Sequence, residues 1–129
     1  MPTYTDSLRG YARKILARDG YRCRYCGLDG TASFSNWLAL SEDHRLPKGH
    51  PNRNREEYRV ACCQFCNVAG NRYLDQAMAT GVGFDGRSPD ELVAMRLPTV
   101  QKTRDLYRRY WEETVAPKRG GSTEASVDL

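Results

Sequence analysis

Four cysteines in two pairs, Cys23-x-x-Cys26 and Cys63-x-x-Cys66, are the residues of this chain whose types and spacing most clearly dictate a chemistry. Each pair presents two thiolates from one tight turn, and two such hooks complete a tetrahedron of soft ligands of the kind zinc takes in structural sites. A four-sulfur shell is closed to water and substrate, so any reaction must be carried elsewhere. Three candidates lie between and beside the hooks: Asp43 and His44, within Ser41-Glu42-Asp43-His44, and Asn67, directly after Cys66. Phosphodiester hydrolysis needs an activated water, stabilisation of the charge that builds around phosphorus, and help for the leaving 3′ oxygen. One hard divalent cation on oxygen ligands meets the last two needs. The Asp43 carboxylate and the Asn67 amide oxygen form a pair suited to Mg2+ or Mn2+ with several retained waters. Imidazole is apt as the base, because its reference pKa of about 6.5 leaves a large neutral fraction at physiological pH.

The order of these residues resembles the HNH endonuclease family, in the branch where two Cys-x-x-Cys pairs clamp a ββα-metal core. The likeness covers residues 18 to 72: Arg18-Asp19-Gly20-Tyr21-Arg22-Cys23, Cys26-Gly27, Asp43-His44 with Pro47 and Gly49, and Cys63-x-x-Cys66-Asn67. The ending at Asn67 is similar to that of a phage recombination endonuclease. The resemblance implies that Asp43 and Asn67 hold the catalytic cation, that His44 is the general base, and that DNA is the substrate, met mostly through its backbone. It departs at one place, because Tyr58 stands where the family's middle Asn orients the base. Asn52, Asn54 or the Tyr58 hydroxyl then takes that role, or the role is lost. Two other readings stay open: a zinc-ribbon nucleic-acid-binding module without catalysis, and an RNA-cleaving enzyme on the same core.

The implied fold class is α+β: a small ββα-metal core stapled by the zinc site, with flanking helices, forming one domain over residues 1–116 with its core at 18–80. Leu8, Tyr11, Ala12, Ile15 and Leu16 form one apolar stripe and predict a helix over 5–18, capped by Thr5 or Asp6 and ended by Gly20. The first hook follows, with Gly27 and Gly30 supplying positive backbone angles, and residues 28–36 read as loop. Trp37–His44 reads as the first strand, with a short helix at its start as the alternative. A regular strand would point Asp43 and His44 to opposite faces, so both serve one site only if it twists or ends there, which Pro47 favours. Pro47, Gly49, Pro51, Asn52 and Asn54 then give a long basic loop, and Tyr58–Cys62 the second strand.

The second hook leads into a helix over Gln64–Thr80 ended by Gly81, with Gly70 an unexplained weak point. Ser88-Pro89-Asp90-Glu91 is a capping box that starts a helix at 89–97. Pro98 separates it from a last helix over 99–115, whose Val100, Thr103, Tyr107, Tyr110, Trp111 and Thr114 are expected to cover the core. The tail, 117–129, is rich in Gly, Ser, Thr and Glu and reads as disordered.

At 129 residues and 40% apolar composition the chain is long enough for one modest core that a zinc staple would strengthen. It has no apolar run of membrane-spanning length and no signal-peptide pattern, so the expectation is a cytoplasmic protein without membrane contact. Of its five cysteines Cys62 is the odd one, and a Cys62-x-x-x-Cys66 hook competes with the tighter Cys63 spacing, which is preferred. The net charge of +4 is moderate but uneven. Arg45, Lys48, Arg53, Arg55 and Arg59 crowd one stretch and are the candidate phosphate contacts, while oligomeric state, monomer or homodimer, is left open.

Overall fold

The computed structural model describes residues 12–81 and 83–119. In chain order they form α1 (Ala12–Arg18), α2 (Phe34–Ala39), β1 (Leu40–His44), a 3-10 turn (Glu56–Tyr58), β2 (Arg59–Cys63), α3 (Gln64–Ala79) and α4 (Pro89–Tyr110), which runs on through a π turn (Trp111–Val115). The architecture is mixed: helices around a two-stranded antiparallel sheet. Residues 5–11 of the expected first helix, with its Thr5 or Asp6 cap, lie outside the described residues, as do residues 120–129 of the expected tail. Within α1, Ile15 and Leu16 are buried as the apolar stripe requires. Gly20 ends it at φ 68°, and Tyr21 continues in the same left-handed region at φ 59°.

β1 and β2 pair from Leu40↔Cys63 to His44↔Arg59. Every residue of β2 is buried, as a strand covered on both faces demands, and α1 and α3 both pack against the sheet. The first strand is shorter than expected, because Phe34–Ala39 is a helix whose Ser33 cap accepts from the Asn36 amide. A capped turn thus takes residues that an apolar run alone leaves undecided. Gly30 also differs from expectation. Its backbone angle is not positive; a Cβ there would lie 2.5 Å from a Leu40 methyl and 2.9 Å from the Tyr21 carbonyl, so glycine permits a close approach rather than a turn.

α3 matches its expected span and ends at Gly81, φ 77°. α4 departs from expectation: Pro98 does not divide it. The helix is held to the core on both sides of the proline by Leu92, Val93, Arg96 and Val100. Ala94, whose carbonyl loses its donor, and Pro98 are both exposed, so that lost bond falls on the solvent side. The capping box at Ser88 and Glu91 is present in both directions. Tyr107, Tyr110 and Trp111 do not cover the core, being 54%, 60% and 51% exposed. No helix among the described residues is long and apolar enough to cross a membrane.

Candidate metal centre and polar cleft

The hooks meet. The Sγ atoms of Cys23, Cys26, Cys63 and Cys66 all lie within 4.8 Å of one another, an arrangement that could hold a metal ion such as zinc. Zinc–sulfur bonds of about 2.3 Å in a tetrahedron place sulfurs ~3.8 Å apart, and the Cys26–Cys63 separation is 3.8 Å. Local backbone geometry prepares the sulfurs as anions: the Tyr25 amide donates to Cys23 Sγ and the Cys66 amide to Cys63 Sγ, each at 3.4 Å. The first hook is joined to the hairpin by the Arg24 amide, which donates to the Ala61 carbonyl at 2.9 Å. Packed together, the thiols compete for protons. Hydrogen bonds from Cys26 first, then Cys62, Cys63 and Cys66, push Cys23 far down, while bonding to Cys23 pushes Cys66 up. A bound cation would replace those shared protons. Cys62 stays outside the four, fully buried, with its thiol directed to the Cys63 carbonyl at 3.2 Å.

A second site opens toward the other end of the hairpin. Asp43 and His44, at the far end of β1, and Asn67, one residue past the last thiol on α3, line one cleft of about 510 Å3. The two strand residues therefore border the same space despite their alternation. Asp43 is 1% exposed. Its Oδ2 accepts from Arg96 Nη1 at 2.7 Å and from the Tyr25 hydroxyl at 2.9 Å. Its Oδ1 is buried with no hydrogen-bond partner. Burial pushes the Asp43 carboxyl up from its ordinary value, and the Arg96 charge pulls against that shift. His44 is held at its carbonyl, which accepts from Arg96 Nη2 at 2.9 Å. Burial, followed by the charges of Arg53 and Arg59, lowers its pKa, so the neutral imidazole is favoured.

The basic residues divide. Arg53 and Lys48 line the cleft. Arg55 is exposed and pairs with Glu57 at 2.9 Å. Arg45 and Arg59 do not have the surface position expected of phosphate contacts. Arg45 is 1% exposed, donates to the Pro89 carbonyl, and is lowered by burial to about 10. Arg59 is buried against Glu42 at 3.2 Å. Arg59 ties the two strands together and Arg45 ties the end of the hairpin to the start of α4, a use of arginine that charge counting cannot tell from a solvated patch. Neither Tyr58 nor Asn54 borders the cleft, and the Tyr58 hydroxyl faces the Arg87 carbonyl at 3.5 Å.

Sequence reasoning missed Arg96 and Tyr25, which hold Asp43, and Asn71 and Asp75, which line the cleft with Asn67. The last two had a signal, since residues four and eight positions after Asn67 share its helix face. Arg96 had one too: it sits midway between Leu92 and Val100 on the buried stripe of α4, where an apolar residue is the rule. Compared with family models, curated proteins and solved structures, the chain matches none.

Proposed function

We propose that the protein is a metal-dependent endonuclease that hydrolyses phosphodiester bonds in DNA, on a ββα-metal core of the HNH type whose knot carries one structural zinc. The observation that carries this reading is the orphaned Asp43 Oδ1, buried on a cleft shared with His44 and Asn67. A buried carboxylate oxygen without a partner is costly, and a bound cation would relieve that cost. Asp43 and the Asn67 carboxamide would hold a divalent ion, Mg2+ or Mn2+, which when bound supplies charge stabilisation for the phosphate and its leaving oxygen. His44, kept neutral by its surroundings, takes the proton from the attacking water. Arg53 and Lys48 orient the phosphate backbone from the rim.

A second reading has an observation of its own. Asp43 Oδ2 is fully engaged by Arg96 and Tyr25, and Tyr58, which stands at the family's base-orienting position, turns its hydroxyl to Arg87 and stays off the cleft. That arrangement suits a nucleic-acid-binding module without catalysis. RNA as substrate on the same core is a matter of which polymer is cut.

Nicking of supercoiled plasmid across a Mg2+ titration separates these readings. The expected result is Mg2+-dependent nicking, with Asn67→Ala requiring more Mg2+ for half-maximal rate. A protein that binds the plasmid but leaves it intact at every Mg2+ or Mn2+ concentration would be the binding module, and cleavage of an RNA transcript alone would move the substrate class.

A further inference from the structure

The start of α3 and the outer half of α4 enclose a hollow of about 410 Å3, lined by Phe65, Arg104, Asp105, Tyr107, Arg108 and Trp111. Arg104, Tyr107, Arg108 and Trp111 recur along α4 at three and four residues, so they share one face of the helix. Trp111 keeps helical angles, φ −60° and ψ −48°, where the π turn begins, so the spacing holds to its end. Guanidinium and ring alternate along that face, and each type returns after four residues, about 6 Å along the axis. Phe65 forms the floor: Arg104 Cζ lies 5.6 Å from its ring centroid, and the Tyr107 ring meets it edge-on at 4.8 Å. The rest of the surface is unspent. Tyr107 and Trp111 are exposed, and the Arg108 side chain has no ion pair or hydrogen bond among the described residues. Exposed rings gathered in a hollow with free cations mark a binding surface.

A single nucleic-acid strand presents the matching alternation, a flat base and a phosphate in every repeat. We infer that the hollow binds single-stranded DNA, with bases stacked on Trp111 and Tyr107 and the adjoining phosphates on Arg108 and Arg104. Charge alone would not select this occupant. Arginines without rings fit any phosphate backbone, and rings without arginines fit any apolar partner. Rings and forked cations taking turns on one face fit a strand whose base faces are uncovered, which a paired duplex does not offer. Two arginines against one acid, Asp105, leave the lining with a positive balance, as phosphate binding requires. The volume falls within the about 300–1,000 Å3 of small-ligand sites, so one nucleotide unit can be enclosed while its neighbours run out along the helix. The hollow is not the polar cleft. Phe65 and Asn67 stand about 200° apart on α3, which places the two on opposite sides of that helix. DNA as the polymer rests on the reading of this protein as one that acts on DNA, but the stacking site itself needs no cleavage.

Fluorescence anisotropy of a labelled oligo-dT strand, and of a duplex of the same length, titrated with the zinc-loaded full chain without Mg2+ or Mn2+, tests it. Wild type should bind the strand. Trp111→Ala should weaken that binding by about 5- to 150-fold, the range for one stacked base, while leaving duplex binding close to wild type, and Trp111→Phe should restore most of the loss. Arg108→Ala should lower the slope of log affinity against log salt by about 0.7, one phosphate contact on a single strand. Both side chains are exposed, so zinc content and melting curves matching wild type should accompany each variant. No binding by wild type, a Trp111→Ala variant that holds the strand as wild type does or loses strand and duplex alike, an unchanged salt slope in Arg108→Ala, or tighter binding of the equivalent RNA strand would each overturn the inference. So would self-association of the free chain that Trp111→Ala abolishes, which would give the face to a second copy. Strand binding that depends on Trp111 in a protein that never nicks plasmid would support the site and remove the nuclease; nicking by a protein whose strand binding ignores Trp111 would do the reverse.

Discussion

The thiol knot and the polar cleft occupy opposite ends of one hairpin, the knot at the Leu40↔Cys63 end and the cleft at the His44↔Arg59 end, yet they are built in different ways. Each half of the knot is a hook of four residues, and one backbone hydrogen bond, from the Arg24 amide to the Ala61 carbonyl, ties the first hook to the strand that carries the second. The cleft is assembled from afar: Arg96, which fixes Asp43 and the His44 carbonyl, lies 53 and 52 residues along the chain from them. One site is made of two locally built hooks, closed and saturated by its own ligands. The other is long-range and keeps an unsatisfied oxygen. A closed site can only stabilise, whereas an open one has capacity left for a ligand.

Breaking the knot should have the largest effect. Structural zinc contributes apparent binding energies of about 10–16 kcal/mol in zinc-finger peptides, comparable to or above the about 5–15 kcal/mol by which a domain is stable. Cys66→Ser should therefore abolish both stoichiometric zinc, read by elemental analysis, and the cooperative thermal transition. Cys62→Ser should keep one zinc per chain; loss of the metal in that variant would put Cys62 among the ligands.

Disturbing the cleft's long-range support ranks next. Arg96→Met leaves Asp43 buried without its cationic partner, the Tyr25 hydroxyl alone still donating to it, and should cost about 3–5 kcal/mol in denaturant unfolding. Adding Asp43→Asn should recover much of that loss, and no recovery would mean that Arg96 acts through packing alone.

A smaller effect comes from pH. The folded His44 pKa lies below its ordinary 6.5. The unfolded chain therefore takes up the proton first as pH falls. The stability owed to neutral His44 is present above 6.5 and is lost as pH falls through the folded value. The acid limb of the nicking rate should have its midpoint below 6.5 for the same reason; a midpoint above it would mean that the Asp43 charge dominates the imidazole.

The smallest change sharpens the contact between α3 and α4. A Cβ on Gly70 would stand 3.7 Å from Arg96 Nη1, an ordinary contact. Gly70→Ala should therefore raise stability by about 0.5–1 kcal/mol through helix propensity. A fall in melting temperature would show that the helices already touch too closely there.

What the sequence reveals follows the same divide. The two cysteine hooks, the span of α3 with Gly81 at its end, and the Ser88 cap are legible because each depends on neighbours a few residues away, and the meeting of the hooks follows from the tetrahedron that two of them complete. The roles of Arg45, Arg59 and Arg96 are not, since a buried, paired arginine and a solvated one have the same letter and differ only in what folds over them. Pro98 was misleading for a related reason: its penalty is local, and the packing that outweighs it on either side is tertiary. The exposure of Tyr107, Tyr110 and Trp111 also escapes the sequence, where periodic aromatic residues look like core.

The most direct test of the cleft as a catalytic site is the single-turnover nicking rate of supercoiled plasmid by His44→Ala against wild type, in Mg2+ and at saturating protein. The variant should retain zinc, fold and plasmid binding, and lose about 10²–10⁴-fold in rate, the range for removal of a general base. An unchanged rate would contradict His44 as the base, and the absence of nicking by wild type itself would contradict the nuclease.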